Sequence, residues 1–441
     1  MNLFWKKLFG GITPTAKLEK NEAELVKAMH RFAEVENSVE LAEYKKLYHV
    51  VKSAKFQENK KILKNRKYKD TEEYRSSTKL KKLQNSPDIK LYYHVLESDI
   101  LTQYLAFKTT SDYELLGDKK RVKTSETLTK FKQFEHSKEY KTYIRFHDSY
   151  IIKEYESLLI AVEKPEFIKA NNFWANENRW HTTPEYAQQQ RFHELAKNQD
   201  IIFYENEKPE RFEKYRSLKI SFQEEFEWNT LDKSRWNFGF HYKKEELISS
   251  HSFANEKQAN NSGKNISVID GILKISTKHE TTTARAWDVT KGFIDKEFNF
   301  TSDVLQTAET FRQKRGVFRA KLRCTGNVQH AFWLGADGKL PHINIFHFDG
   351  KSITLGNANK NVVDGIKVTG LNTCQFYIYT LLWSEKELIW LINDFEVYRT
   401  ASNIPAESMY LAFNSFISQK QKGSAGNLEV DWVRAYTTDQ I

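Results

Sequence analysis

The sequence predicts a multidomain α + β protein, in which an all-α helical repeat domain is followed by an antiparallel β-sandwich. Only three of the 17 glycines, Gly10, Gly11 and Gly117, precede residue 216. One sequence pattern recurs four times within residues 30–216, and short alternating segments replace it from about residue 219. Capped helices have little use for glycine, whereas a sandwich needs it at its turns. We therefore expect an N-terminal segment (1–30), a helical repeat domain (31–216) and a sandwich domain (217–441).

The N-terminal segment contains an apolar stretch with two lysines. Leu3, Phe4, Leu8 and Phe9 predict one side of a short helix that docks on a membrane or a partner, or that packs locally. The segment has no apolar run of signal-peptide length, and no stretch of the chain reaches the roughly 18 apolar residues of a membrane span. We therefore predict no transmembrane segment and a location in the cytoplasm or in a virion-like assembly.

The four copies of the recurring pattern share a helix-start signal. In each copy a serine or asparagine is followed two residues later by an acid, which suits the positive end of a helix. These residues are Ser38, Ser86, Ser137 and Asn198, and the tyrosines at the marker position are Tyr44, Tyr92, Tyr143 and Tyr204. The tyrosines are 48, 51 and 61 residues apart, which indicates units of about fifty residues with one longer insertion.

Such short units cannot bury their apolar faces alone. We therefore expect the four to stack, each against the next, with the tyrosines serving as packing residues or as a ladder for ligand stacking. Four prolines, each before an acid, fit the first turn of a helix: Pro87, Pro165, Pro184 and Pro209. This half is predicted to be a spacer or a scaffold that docks a protein partner.

Charge and cysteine content exclude several classes of function. The net charge of +10 arises from 68 basic and 58 acidic residues in the whole chain. In the first half basic and acidic residues are interleaved, as on solvated helical faces, so we predict no nucleic-acid partner. Two cysteines cannot form a disulfide scaffold or a four-cysteine zinc site. We predict no cofactor.

The second half reads as a series of short strands. Residues 266–275 predict a hairpin around Asp270-Gly271, and residues 316–323 alternate with period two. Further strands are predicted at 329–334, 342–347, 374–383, 388–392, 395–399, 409–416 and 428–436. So many short strands predict a sandwich or jelly roll.

Several short segments in this half follow one another in an order that matches a known protein family. They include Phe222-Gln-Glu-Glu-Phe226, Gly271-Ile-Leu-Lys-Ile275, Ala331-Phe-Trp-Leu-Gly335 and the ending Leu428-Glu-Val-Asp-Trp432. In this order they resemble the laminarinase-like glycoside hydrolases of family 16. The resemblance implies a concanavalin A-like jelly roll across about residues 220–437.

The catalytic strand departs from that family. The family pattern Glu-x-Asp-x-(x)-Glu implies a nucleophile, a tuning aspartate and an acid/base on one face of a strand. At those positions this chain has His342, Asn344 and His347. Retaining hydrolysis requires two carboxyl groups about 5 Å apart. We therefore identify no confident catalytic residue.

The same cleft is predicted to bind a polysaccharide or glycan, because aromatic rings offer flat faces to sugars. The ligand-binding candidates are Trp333, Trp287, Trp236 and Asn414. His342 and His347 are five residues apart, which puts them on opposite faces of a strand unless a bulge intervenes, and we predict no metal site.

Three functional hypotheses follow. The first is a non-catalytic carbohydrate-binding or assembly protein, such as a structural component of a phage-like particle. The second is a glycoside hydrolase that acts on β-glucan or marine galactan with relocated acids. The third is a purely structural protein with a vestigial cleft.

Overall fold

The computed structural model describes residues 1–241, 251–338, 340–359 and 362–438. The chain divides into two compact units, one formed by residues 1–33 with 207–441 and the other by residues 34–206. The predicted fold class is confirmed, since helices fill the first half and a β-sandwich the second. The three-part division by sequence stays a prediction, because the compact units have different bounds.

The helices of the first half are short. The described α-helices are α1 (Phe4–Leu8), α2 (Thr15–Glu36), α3 (Val39–Lys52), α4 (Ala54–Asn65), α5 (Glu72–Gln84), α6 (Pro87–Leu96), α7 (Asp99–Lys108), α8 (Lys119–Thr124), α9 (Glu126–His136), α10 (Lys138–Phe146), α11 (Tyr150–Glu163), α12 (Pro165–Ala175), α13 (Pro184–Leu195), α14 (Gln199–Asn206) and α15 (Glu213–Arg216). Short 3-10 helices lie at Tyr68–Asp70, Ser111–Gly117, Arg179–Thr182 and Pro209–Phe212.

The repeating pattern marks helix starts, as predicted. Ser38, Ser137 and Asn198 each accept a hydrogen bond from the backbone N–H three residues later. Ser86 precedes α6 but makes no such bond, and Pro87 occupies the first turn. The other three prolines also lie in the first turn of an α- or 3-10 helix.

This difference between the serines gives a test of capping. Replacing Ser137 with alanine is expected to destabilise the helical unit by about 1 kcal/mol, because the amide of Tyr140 loses its acceptor. Ser86→Ala is the matched control and should change the free energy of unfolding by much less. Urea denaturation of the full chain, followed by helical circular dichroism, measures both. Equal losses in the two variants would contradict the capping role.

The helical units do not stack in simple series. One buried cluster joins the second and third units, where Tyr92 stacks on Tyr143 with ring centroids 6.1 Å apart. A second cluster joins the first and fourth units, where Tyr44 stacks on Phe192 at 5.4 Å. The expectation that each unit packs on the next is therefore wrong for the first unit. The longer insertion between Tyr143 and Tyr204 contributes Trp180, which packs edge-on against Phe56 in that cluster.

The strands of the second half are β1 (Leu218–Glu224), β2 (Asn237–Phe238), β3 (Ser252–Phe253), β4 (Gln258–Asn260), β5 (Ile266–Ile269), β6 (Ile272–Asp288), β7 (Gly292–Ser302), β8 (Val304–Gln306), β9 (Gly316–Thr325), β10 (Gln329–Gly335), β11 (His342–Phe348), β12 (Ile353–Asn359), β13 (Val362–Val368), β14 (Tyr377–Trp383), β15 (Leu388–Ile392), β16 (Phe395–Thr400), β17 (Tyr410–Phe416) and β18 (Gly426–Thr438). Among the described residues they form two sheets. One runs in the order β13-β12-β11-β10-β17-β8-β2. The other runs β16-β15-β14-β9-β18-β6-β7-β4, with β1 beside β18 and with β3 and β5 beside β6.

Local sequence determined several of these elements. The turn at Asp270 and Gly271 has positive φ at both residues, 51° and 75°, as a two-residue hairpin turn requires. Strands β12 and β13 and the full length of the β6–β7 hairpin were not predicted. Gly356 and Gly365 interrupt the alternation of β12 and β13, and a run of threonines obscures it in β6.

The two sheets enclose a single large core. Phe332 of β10 stacks on Phe413 of β17, with centroids 4.6 Å apart, and Phe346 of β11 packs at the same distance on Tyr379 of the opposite sheet. Side chains at alternate positions of β10, β11 and β17 therefore point into the core. The remaining positions form the outer face of the seven-stranded sheet.

The N-terminal segment belongs to the sandwich unit. Leu3 and Ile12 lie in the sandwich core, whereas Phe4, Trp5 and Phe9 are exposed. Residues of α2 pack on the larger sheet, where Leu18 contacts Ile378 and Trp432. In the described part of the chain, no helix combines the length and the apolar character of a membrane span.

Candidate functional site

A bulge in β11 places the three motif positions on one face of the sheet. The pairing of β11 with β12 shifts between Asn344 and His347, and the pairing with β10 shifts between Phe332 and Trp333. Two consecutive residues, Ile345 and Phe346, consequently both lie in the core. His342, Asn344 and His347 then all face outward, away from the core.

Three neighbouring strands build the floor around these positions. On β10, Gly335, Trp333 and Ala331 lie opposite His342, Asn344 and His347, respectively. On β17, Tyr410, Ala412 and Asn414 continue the same three rows. No side chain in these rows is a carboxylate. The floor combines two aromatic rings with imidazole and amide groups.

Trp333 is the centre of this floor. Its indole stacks on the His342 ring with centroids 4.8 Å apart and packs edge-on against Tyr410 at 5.7 Å. Its Nε1–H donates to Asn414 Oδ1 at 2.9 Å. Because an indole nitrogen only donates, the oxygen of Asn414 must face it, and the amide nitrogen of Asn414 stays available as a donor.

A glycine makes room for this ring. A Cβ at Gly335 would lie 2.5 Å from Trp333 Cζ3 and 3.0 Å from the Tyr410 ring. Any larger residue at this position would displace one of the two aromatic side chains. The sequence signal was Ala331-Phe-Trp-Leu-Gly335, but the reason for its glycine depends on Tyr410, which is 75 residues away.

The floor histidines are neutral near pH 7. Burial lowers the pKa of His342, partly opposed by its hydrogen bond with Asn344 Oδ1 at 2.9 Å. Burial, with the nearby His342 as a smaller cause, lowers the pKa of His347 to about 4. The site therefore presents uncharged hydrogen-bonding groups.

The other predicted ligand-binding residues have different positions. Asn414 lies in the floor, as described above. Trp236 is only 1% exposed and packs in the core against Phe222 and Phe413, so, contrary to its prediction as a ligand-binding residue, it does not reach the outer face of the sheet. The family-like opening segment brings Trp236 between the sheets, where no ring face reaches solvent. Trp287 is 37% exposed near the tip of the β6–β7 hairpin, where it packs on Phe293.

A charged cluster adjoins the Tyr410 end of the floor and was not predicted. Arg312 approaches Asp337 at 2.5 Å and His241 at 3.0 Å, and its guanidinium lies 5.4 Å from the Tyr410 ring centroid. These residues come from three separate segments, so spacing in the sequence gives no signal for the cluster.

The histidines do not form a recognisable metal site. His330 is fully buried on the core side and bonds Ser415 Oγ and Thr325 O at 2.8 and 3.0 Å. Within the described ranges, no group of three or more metal-ligating side chains is present.

The burial of His330 predicts an acid-sensitive fold. Burial lowers its pKa from 6.5 to about 4, so between these values the unfolded chain binds a proton that the folded chain does not. Stability should therefore fall as the pH decreases from about 6.5 to about 4, with His330 alone contributing about 2–3 kcal/mol of that loss. Urea denaturation at pH 7 and pH 4.5 measures the effect.

The variant His330→Gln isolates that contribution. It retains polar atoms but does not titrate, so its stability should change less between the two pH values, whatever its stability at pH 7. An unchanged pH dependence would contradict the assignment.

Residues 300–434, which contain the whole floor, match the model of the family described as "Glycosyl hydrolases family 16". The sandwich resembles that family. The resemblance predicted from sequence is thereby confirmed, and the matched residues lie entirely within the β-rich half.

Two curated relatives match about the same length of chain. The endo-1,3-1,4-beta-glycanase EglC of Rhizobium meliloti (strain 1021) is 29% identical over 194 residues, which cover 39% of this chain and 40% of the relative. The endo-1,3-1,4-beta-glycanase ExsH of the same organism is 28% identical over 194 residues, which again cover 39% of this chain and 40% of the relative. The chain thus spans about two fifths of the length of the curated relatives it matches.

Solved structures resemble the sandwich in fold. The catalytic domain of an endo-1,3-beta-glucanase (laminarinase) from Thermotoga petrophila RKU-1 is 16% identical, with a TM-score of 0.42, and the match covers 51% of this chain and 99% of that one. The endo-beta-1,3-glucanase from Pyrococcus furiosus is also 16% identical, with a TM-score of 0.41, and the match covers 50% of this chain and 95% of that one.

Proposed function

We propose that this protein binds a carbohydrate in the cleft of its family-16-like sandwich and does not hydrolyse it. The observation that carries the proposal is the floor itself, where an aromatic ring is surrounded by neutral amide and imidazole groups. Sugar rings stack on aromatic faces, and their hydroxyl groups both donate and accept hydrogen bonds. Amide donors and imidazole acceptors therefore suit an uncharged glycan.

The absence of catalysis is supported by the chemistry of the three motif positions. A glycosyl ester requires a carboxylate nucleophile, and proton transfer to the leaving oxygen requires an acid of suitable pKa. His342 and Asn344 cannot form that ester. His347, whose pKa is about 4, is a neutral imidazole near pH 7 and not an imidazolium acid.

The proposal is tested by measuring binding and turnover together. Isothermal titration with soluble β-1,3- and β-1,3-1,4-glucans should give saturable binding, while the same incubations release no reducing ends. The glucans are chosen because the curated relatives are named as endo-1,3-1,4-beta-glycanases. Turnover that is lost in His342→Ala or His347→Ala would overturn the non-catalytic assignment.

The alternative function is hydrolysis by a relocated acid, for which Glu256 is the candidate. Burial raises the pKa of Glu256 to about 7, and its carboxylate accepts a hydrogen bond from Gln258 Nε2 at 2.6 Å. A carboxyl group that holds its proton near neutral pH has the character of a general acid. If reducing ends do appear and Glu256→Gln abolishes them, this alternative replaces the first.

The helical unit is proposed to dock a protein partner. Nine of the fourteen residues of helix α11 are apolar, yet Ile152 is its one buried residue, and Tyr150 and Ile160 are 75% and 65% exposed. A helix of this composition is normally covered. Ile160→Glu should leave the thermal midpoint unchanged and weaken partner capture, with Lys153→Glu as the exposed control. A lowered midpoint would instead mark this face as part of the folded core.

Membership of a phage-like or other larger particle stays a prediction from the pairing of the two halves.

A further inference from the structure

The side chain of His347 is held by a relay of two glutamines. His347 Nε2 lies 2.9 Å from Gln329 Oε1, and Gln329 Nε2 lies 3.0 Å from Gln421 Oε1. The same Gln421 oxygen accepts from the backbone N–H of Ser418 at 3.1 Å, while Gln421 Nε2 donates to the carbonyl oxygen of Asp349 at 3.1 Å.

This relay determines which imidazole nitrogen carries the proton. A backbone N–H only donates and a backbone carbonyl only accepts, so the two ends of the Gln421 amide are fixed. Gln329 must then turn its NH₂ group toward Gln421 and its oxygen toward His347. Because that oxygen only accepts, neutral His347 must be protonated at Nε2, and its Nδ1 bears the lone pair.

The second nitrogen has no partner within the described residues. None of the hydrogen bonds among the described residues involves His347 Nδ1. This nitrogen is also not one of the side-chain atoms that are shielded from solvent without a hydrogen-bond partner. Nδ1 is therefore accessible on the outer face of the sheet, in the row that also contains Ala331 and Asn414.

We propose that Gln329 is a positioning residue that keeps His347 in the Nε2–H form, so that Nδ1 accepts a hydrogen bond from a hydroxyl group of the bound glycan. This inference rests on the proposed binding function. Asn414 Nδ2, in the same row, supplies the complementary donor. Together they offer one acceptor and one donor to a sugar.

The charges around His347 set how the relay responds to pH. His342 and Lys367 disfavour the imidazolium ion, Asp349 favours it, and burial is the largest cause of the lowered pKa. The neighbours on the paired strands, Ala331 and Thr354, do not titrate. Phe416, whose ring lies 5.7 Å from the His347 ring, does not titrate either. A carboxylate in place of Gln329 would therefore add a direct favourable partner for the protonated ring.

The experiment uses Gln329→Glu in the full chain. Nitrogen-15 spectra of the histidine side chains should show Nε2–H His347 in the natural protein. In the variant its titration should move up by about one to three pH units. The imidazolium has no lone pair on Nδ1, so glycan affinity of the variant should fall several-fold between pH 7.5 and 5. The natural protein should show a flat profile over that range.

Gln375→Glu is the matched control. It makes the same charge change on a residue whose side-chain oxygen contacts Lys7 and Tyr377. It should leave the titration of His347 and the pH dependence of glycan affinity unchanged. A His347 protonated at Nδ1, or a titration unaffected by Gln329→Glu, would overturn the positioning role. If the spectra show Nε2–H His347 but the protein binds no glycan, the proposed binding function is overturned and the positioning of His347 by Gln329 is not.

Discussion

Replacing Trp333 with alanine is expected to weaken glycan binding by about thirtyfold, which corresponds to about 2 kcal/mol. The substitution removes the ring that we propose for stacking, which is 9% exposed. It also leaves Asn414 Oδ1 without the indole N–H that donates to it in the natural protein. His342 loses the ring on which it stacks. Titration calorimetry with a soluble β-glucan, at a fixed pH near 7, measures the change.

Two further variants separate binding from folding. Trp333→Phe keeps an aromatic face but cannot donate to Asn414, so its affinity should lie between those of the natural protein and the alanine variant. Trp287→Ala removes a partly exposed ring from the hairpin tip and should leave affinity nearly unchanged. A thermal midpoint measured for each variant detects any general loss of fold. If Trp287→Ala abolished binding and Trp333→Ala did not, the binding site would lie on the hairpin.

The second large effect is expected at a buried ion pair of the sandwich unit. Arg319 of β9 is 7% exposed, and its Nη2 lies 2.8 Å from Glu22 Oε1 of α2, with Asp394 Oδ1 at 3.7 Å. Glu22→Ala should destabilise the unit by about 3–5 kcal/mol, because it leaves a buried guanidinium without its nearest counter-charge. For a unit of this size, the thermal midpoint should fall by on the order of 10 °C.

The same helix provides the control. Glu24 of α2 pairs with Lys20 at 3.8 Å, but both side chains are at least 66% exposed. Glu24→Ala should therefore cost at most about 0.5 kcal/mol. In the double variant Arg319→Met/Glu22→Leu no charge remains buried at the pair, so most of the lost stability should return. A double variant as unstable as Glu22→Ala would show that the loss comes from packing of α2 and not from the unpaired charge.

The local elements of both halves could be predicted because each follows from neighbouring residues. A serine or asparagine can accept a hydrogen bond from the first free amides of a helix without any distant residue, as Ser38 and Ser137 do at their helix starts. Asp270 and Gly271 adopt the positive φ angles of a hairpin turn for an equally local reason. Alternation of apolar residues likewise placed β10, β11 and β15 within a residue of their ends.

Packing between residues distant in the chain decided how the helical units are arranged and which aromatic rings are buried. The order of the helical units depended on Trp180 and Phe192, which lie far along the chain from the helices they cover. The burial of Trp236 could not be predicted, because burial is set by which segments enclose a ring, and the sequence shows only that the ring is large and apolar.

The sequence by itself determined that the chain joins a helical repeat to a glycosidase-like sandwich, and that His342, Asn344 and His347 replace the acids of the motif. Only the tertiary structure decided that these three side chains share one face, because the bulge at Ile345 and Phe346 depends on how β11 pairs with both neighbours. Only the fold brings Gln329 and Gln421 to His347. These side-chain hydrogen bonds join residues that lie far apart along the chain, so the protonation of that imidazole depends on the assembled fold.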